Sequence, residues 1–124
     1  MLFRSVWSLW RYGDPTQDYT TCLRRTLKVA LHETGHMMGM AHCIAYDCLM
    51  NGSNSLLETD LQPLYCCPEC EPKVWWACHS DPAKRYANLV EFAKAHKLID
   101  EAAFWERSRV AVMPANIIPE PAKP

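Results

Sequence analysis

The chain has 124 residues, a formal net charge of −1 and 49% hydrophobic residues, which predicts one domain with a modest core. It has no basic tract and no long apolar run, so we expect neither a nucleic-acid partner nor a membrane partner. Arg4 and Ser5 interrupt the apolar start, which argues against a signal peptide. The seven cysteines are an odd number and favour a cytoplasmic, reducing location over a secreted disulfide scaffold.

The first two predicted elements are a strand and a helix. Residues 3–12 interleave aromatic or aliphatic side chains with polar ones and predict a strand, which Gly13 ends. Residues 21–38 carry an apolar stripe at helical spacing and predict a helix capped by Thr20 or Thr21. Its early cationic residues, Arg24, Arg25 and Lys28, are expected to form a solvated face, and the alternative is that they are ion-pair partners.

Three histidines in and after this helix have the spacing of metal ligands. His32 and His36 lie four residues apart, so a helix puts both imidazoles on one face. Gly39 can adopt a positive φ and end the helix, which lets the chain bring His42 to the same point. Three imidazoles and a water form a set that catalytic zinc uses, and Glu33 can then serve as a general base without being a ligand. The alternative is an amphipathic helix with three satisfied surface histidines, which does not explain the joint spacing.

Four of the cysteines have spacings that suit a thiolate metal site: Cys43, Cys48, Cys67 and Cys70. Cys67 is preferred over the adjacent Cys66 because it forms a Cys-x2-Cys pair with Cys70, and Cys66 stays an alternative. Two disulfides or buried thiols are the other interpretation. Met50, taken alone, is interpreted as core packing, although the Asn51-Gly52 pair after it is a strong turn signal.

Four further helices are predicted: one near 56–61, one that has Pro72 in its first position and carries residues 74–76, one near 82–97 and one near 100–109. Ser55 and Glu58 predict a capping box for the helix at 56–61, and Asp81 before Pro82 predicts the cap of the helix at 82–97. The proline-rich residues 114–124 are predicted to be a disordered tail.

The extended motif at His32, Glu33, His36, Gly39 and His42 resembles that of the metzincin zinc endopeptidases. Met50 looks like the methionine that these enzymes hold in a tight turn below the metal. The cysteine pattern is similar to that of the archaemetzincin branch, so the resemblance implies a catalytic zinc and a structural four-cysteine zinc, two ions per chain. It also implies an α/β (α+β), zincin-like fold, mainly helical here with one or few strands at the N-terminus.

Metzincin domains place several strands and a helix before this motif, so we expect residues 1–113 to be the C-terminal portion of such a domain. The missing upstream segment is then a possible partner. The function that the resemblance implies is zinc-dependent hydrolysis of peptide bonds in peptide or protein substrates, with Glu33 as the general base. The alternative is a catalytically incomplete, zinc-stapled fragment or interaction module. A disulfide-rich secreted protease is the third hypothesis.

Overall fold

The computed structural model describes residues 6–114, which fall into two compact units that meet in sequence between His79 and Ser80. The first unit contains a 3-10 helix and three α-helices: Trp10–Tyr12, α1 (Tyr19–Met37), α2 (Leu56–Leu61) and α3 (Glu71–Cys78). The second unit contains α4 (Pro82–Ala95) and α5 (Ile99–Val112). Within residues 6–114, no helix is both long and apolar enough to cross a membrane. The predicted disordered tail lies outside the described range from residue 115 onward.

The predicted N-terminal strand is not found within residues 6–114, which contain no strand at all. Residues Trp10–Tyr12 form a 3-10 helix instead, and Phe3 lies outside the described range. A strand needs the backbone of a neighbouring strand to satisfy its polar groups, and none is available in this part of the chain. The Tyr12 carbonyl instead accepts hydrogen bonds from Arg25 Nη1 at 3.0 Å and Cys22 Sγ at 3.2 Å.

Helix α1 begins two residues earlier than the sequence predicts. Its N-cap is Asp18 and not Thr20 or Thr21, because the Asp18 carboxylate accepts a hydrogen bond from the Thr21 N–H at 3.0 Å. The predicted glycine stop is confirmed, since Gly39 adopts a φ of +85° directly after the helix cap. The chain therefore leaves the helix abruptly one turn after His36.

The prediction that the early cationic residues of α1 form a solvated face is wrong for Arg25 and Lys28. Both side chains bind residues of α2. The Arg25 guanidinium pairs with both carboxylate oxygens of Asp60, at 2.7 and 2.6 Å. Lys28 is only 6% exposed, and its ammonium donates to the Thr59 and Asp60 carbonyls at 3.1 Å each. These carbonyls lie in the last turn of α2, where a cation compensates the unpaired end of a helix. The charged residues thus fix α2 beside α1.

The core of the first unit is rich in sulfur. Its buried members are Met40, Cys48, Met50, Cys67 and Cys70, with Cys43, Cys66 and Val74 packed against them. Gly35 leaves space for Met50, because a Cβ built on Gly35 would overlap the Met50 sulfur and lie 2.9 Å from its Cε. The space that a small residue creates in the middle of α1 is therefore filled by this chain's own methionine.

The second unit is a helical hairpin. Asp81 caps α4 by accepting from the Lys84 N–H at 2.7 Å, as the sequence predicts. Lys97 has a φ of +59° in the connection, and the Leu98 N–H donates to the Ala93 carbonyl at 2.8 Å. Ala93 and Leu98 are fully buried, which makes the turn part of the hairpin's core.

Candidate metal centre and active site

The three motif histidines meet at one point. His32 and His36 come from one face of α1, and His42 comes from the segment after the Gly39 turn. The Nε2 atoms of His32 and His36 lie 3.0 Å apart, and those of His32 and His42 lie 3.2 Å apart. Ligand nitrogens at about 2.0–2.1 Å around a tetrahedral zinc would be separated by roughly 3.3 Å. The rings therefore have the spacing of ligands around one ion.

The other ring nitrogens of two histidines bind backbone carbonyls. His32 Nδ1 lies 2.8 Å from the Leu49 oxygen, and His36 Nδ1 lies 2.8 Å from the Met40 oxygen. A carbonyl can only accept, so both Nδ1 atoms carry protons and, in the neutral rings, both Nε2 atoms present lone pairs. Two facing lone pairs 3.0 Å apart repel each other, and a cation between them relieves that repulsion. The donor set therefore fits a zinc-type ion.

A cavity of about 320 Å³ opens beside these rings. Its lining residues are Lys28, Val29, His32, Glu33, His36, His42, Ser53, Thr59 and Gln62. The only motif carboxylate, Glu33, thus shares a cavity with all three imidazoles. The remaining lining is mostly polar, so water and a peptide group can both be accommodated there.

The four cysteines selected by spacing also meet at one point. Their sulfur atoms all lie within 4.8 Å of one another, and the Cys43 and Cys67 sulfurs are 3.8 Å apart. Zinc–sulfur bonds of about 2.3 Å in a tetrahedron give a sulfur–sulfur separation of roughly 3.8 Å. Cys67 belongs to this group, whereas the adjacent Cys66 does not. No described cysteine is in a disulfide, and the sulfur separations are far from the bonded distance of about 2.05 Å.

The thiols differ in their electrostatic environment. Hydrogen bonds from the backbone of Ala45 and Tyr46 lower the pKa of the Cys43 thiol to about 7. Burial raises the pKa of the Cys48 and Cys70 thiols, and neighbouring sulfurs raise it further. Four thiolates this close together would need a compensating cation, which a bound metal would supply.

A tight turn connects the two clusters. The Asn51 N–H donates to the Cys48 carbonyl at 3.0 Å, so the turn spans residues 48–51 and holds Met50 fully buried. The Asn51-Gly52 pair predicts a turn centred on these two residues, whereas the observed turn ends at Asn51. The Asn51 side chain, which sequence reasoning did not single out, bonds to the loop between Cys43 and Cys48. The preference of asparagine for hydrogen bonds to nearby backbone was the available signal.

A sequence-family model covers the part of the chain that contains both clusters. The sequence model described as "Peptidase family M54" matches residues 8–75, which is more than half of the chain. The chain belongs to peptidase family M54. The predicted relationship to the archaemetzincins is thereby confirmed, and the M54 peptidases are metallopeptidases, the enzyme class that the motif predicts.

Curated relatives match about half of the chain. An archaemetzincin of Thermococcus kodakarensis is 43% identical over 63 residues, covering 51% of this chain and 33% of the relative. Archaemetzincin-2 of Rattus norvegicus is 43% identical over 70 residues, covering 56% of this chain and 20% of the relative. An archaemetzincin of Pyrococcus abyssi is 40% identical over 63 residues, covering 51% and 33% respectively.

The matched part of this chain therefore spans a third or less of the length of these M54 relatives. No solved structure matches the chain significantly. The sequence comparisons establish the family.

Proposed function

We propose that this chain carries the catalytic centre of a zinc-dependent peptidase that hydrolyses peptide bonds. The observation that carries the proposal is the meeting of three imidazole nitrogens, 3.0 and 3.2 Å apart, in a cavity also lined by Glu33. Membership of a metallopeptidase family supports the reaction class, and peptides or proteins are the corresponding substrates.

Two zinc ions are part of this proposal. His32, His36 and His42 hold the catalytic ion, and a structural ion is held by Cys43, Cys48, Cys67 and Cys70. When bound, the catalytic zinc supplies Lewis-acid chemistry, because it polarises the scissile carbonyl and lets water attack near neutral pH. The four-thiolate site requires reduced cysteines, which agrees with a reducing, cytoplasmic location.

The chain's own residues orient the ligands and move the proton. The Leu49 and Met40 carbonyls hold the rings of His32 and His36 in the tautomer that directs Nε2 toward the ion. Met50 packs against Gly35 of α1, and we assign it to the floor of the site as a Met-turn residue. The Glu33 carboxylate accepts a proton from the attacking water and delivers it to the nitrogen of the leaving amine.

The replacement Glu33→Gln tests this role. We expect the variant to keep both ions and to lose peptide hydrolysis by about 10²- to 10⁴-fold, because only the general base is removed. Metal content is measured by native mass spectrometry and hydrolysis with a fluorogenic unfolded peptide. Glu91→Gln, an exposed change in α4, is the matched control and should keep both properties. Full activity of Glu33→Gln would refute the role of Glu33.

Metal stoichiometry tests the site assignments separately from turnover. We expect two zinc ions in the wild-type chain and one in the double variant His32→Ala, His36→Ala, since the thiolate site is left intact. A folded wild-type chain that binds only the thiolate-held ion at saturating zinc would remove the basis of the proposal.

A second candidate function is a zinc-stapled module without catalysis. The observation that favours it is the absence of any strand in residues 6–114, since an extended substrate commonly pairs with a sheet edge. Hydrolysis of unfolded peptides by the wild-type chain with two bound ions, but not by Glu33→Gln, would exclude this function for the chain. Two bound ions without hydrolysis would favour it.

A further inference from the structure

The Asn51 side chain closes the loop between the third histidine and the tight turn. Its Oδ1 accepts from the Cys48 N–H at 2.9 Å, and its Nδ2 donates to the carbonyls of Cys43 at 2.8 Å and Tyr46 at 2.9 Å. One acceptor and two donors in a single planar group are what a carboxamide provides and a carboxylate does not. Asn51, at the end of the segment 43–51, thereby fixes the backbone of that segment.

The backbone that Asn51 fixes makes contacts with the histidine site. The Leu49 carbonyl accepts the hydrogen bond that sets the tautomer of His32, at 2.8 Å. The Cys43 N–H donates to the Met50 carbonyl at 2.9 Å, which ties the start of this loop to its end. The orientation of His32 therefore depends on a loop whose shape depends on Asn51.

The other side of the turn is fixed by Gln62. Its Nε2 donates to the carbonyls of Asn51 at 3.1 Å and Gly52 at 3.2 Å. Gly52 packs against the His42 ring so closely that a Cβ there would lie 3.1 Å from Nδ1. Displacing the turn would therefore move Gly52, which packs against the His42 ring. It would also move the Leu49 carbonyl, which binds His32.

We propose that Asn51 is a positioning residue that sets the metal affinity of the three-histidine site through the backbone of residues 43–51. This inference rests on the proposed function, because it concerns the ion held by the histidines. Groups that orient metal ligands without touching the ion typically change metal affinity by about 10- to 100-fold when they are lost.

The test is a cobalt(II) titration of the full chain, because cobalt reports both sites in one spectrum. Thiolate ligands give intense charge-transfer absorption, whereas imidazole ligands give only weak visible bands. The replacement Asn51→Asp keeps an acceptor for the Cys48 N–H but sets an oxygen against the Cys43 and Tyr46 carbonyls. We expect about 10- to 100-fold weaker cobalt binding at the histidine site with the thiolate band retained. Asn54→Asp, the same change at an exposed position, is the control and should stay within twofold of wild type.

Gln62→Leu is a second variant that leaves the loop between Cys43 and Cys48 untouched. It should also weaken the histidine site, by about 3- to 10-fold, since one side of the turn stays fixed. Wild-type affinity at the histidine site in both variants would overturn the inference. Loss of both sites together in Asn51→Asp, with Gln62→Leu unchanged, would assign Asn51 to folding alone and also overturn it. Absence of histidine-site binding in the wild type itself would refute the proposed function first, and the inference with it.

Discussion

The replacement Gly35→Ala tests the packing beneath the histidine site. In an unobstructed helix, alanine would stabilise the chain by about 1 kcal/mol relative to glycine. Here the new methyl group would overlap the Met50 sulfur and lie 2.9 Å from Met50 Cε. Met50 is only 1% exposed, so its side chain has little space into which it can move. Overpacking of this kind costs about 1–3 kcal/mol, and we expect a net loss of about 1 kcal/mol.

A double-mutant cycle isolates this contact. In a Met50→Ala background the overlap is gone, so Gly35→Ala should there stabilise the chain by up to about 1 kcal/mol. The coupling free energy between the two positions is then about 1–3 kcal/mol. Amide hydrogen exchange along α1 in the zinc-loaded chain is the appropriate assay, because it reports opening of the first unit without contributions from the second.

If Gly35→Ala slows exchange in α1 by the same factor with Met50 present and with Met50→Ala, the two residues are not in contact. Gly35 would then be an ordinary destabilising glycine, and the floor that we assign to Met50 would have to be formed by other residues.

Two further predictions concern the turn after α1 and the polar contact with α2. Gly39→Ala should lower the free energy of unfolding by about 1 kcal/mol, because Gly39 has a φ of +85°. Gly39→Asn should lower it less, because asparagine tolerates this region of backbone conformation. Equal losses of unfolding free energy in chemical denaturation would contradict the assignment of strain. The hydrogen bonds from Arg25 hold the pKa of Asp60 below its usual range, so the stability from this pair is complete above the unfolded carboxyl pKa of about 3.9 and is lost as the pH falls through the lower folded value. We therefore expect Asp60→Asn to lower the free energy of unfolding by up to about 1 kcal/mol, and by the same amount from pH 5 to pH 8. If the loss of unfolding free energy caused by Asp60→Asn changed between pH 5 and pH 8, the lowered pKa of Asp60 would be contradicted.

The features that could be predicted from the sequence are those with local causes. The helix with His32 and His36 follows from an apolar stripe, and its end follows from the conformational freedom of Gly39. The cap of α2 is equally local, because the Ser55 hydroxyl accepts from the Glu58 N–H at 3.2 Å. Each of these depends on residues within about one turn of helix of each other.

The features that could not be predicted depend on distant parts of the chain. The residues before Gly13 have the composition of a strand, yet a strand forms only where a second backbone is present to receive it. Lys28 carries a charge and was expected in solvent, but its ammonium is buried against the carbonyls of Thr59 and Asp60. A cation can be buried in this way only when the acceptors are already in place, and one sequence does not reveal where they are.

The histidine cluster and the cysteine cluster are connected because they use one short segment of the chain. His42 and Cys43 are adjacent in sequence, and the Leu49 carbonyl that orients His32 follows Cys48 directly. An ion held by the four thiolates would close the loop from Cys43 to the Cys-x2-Cys pair and thereby order this segment. Because a small, sulfur-rich core gives little hydrophobic stabilisation, the free energy of binding that ion would contribute to folding. The same binding would preorganise His32 and His42, so an ion in the cysteine cluster would support the proposed histidine site without contacting its metal.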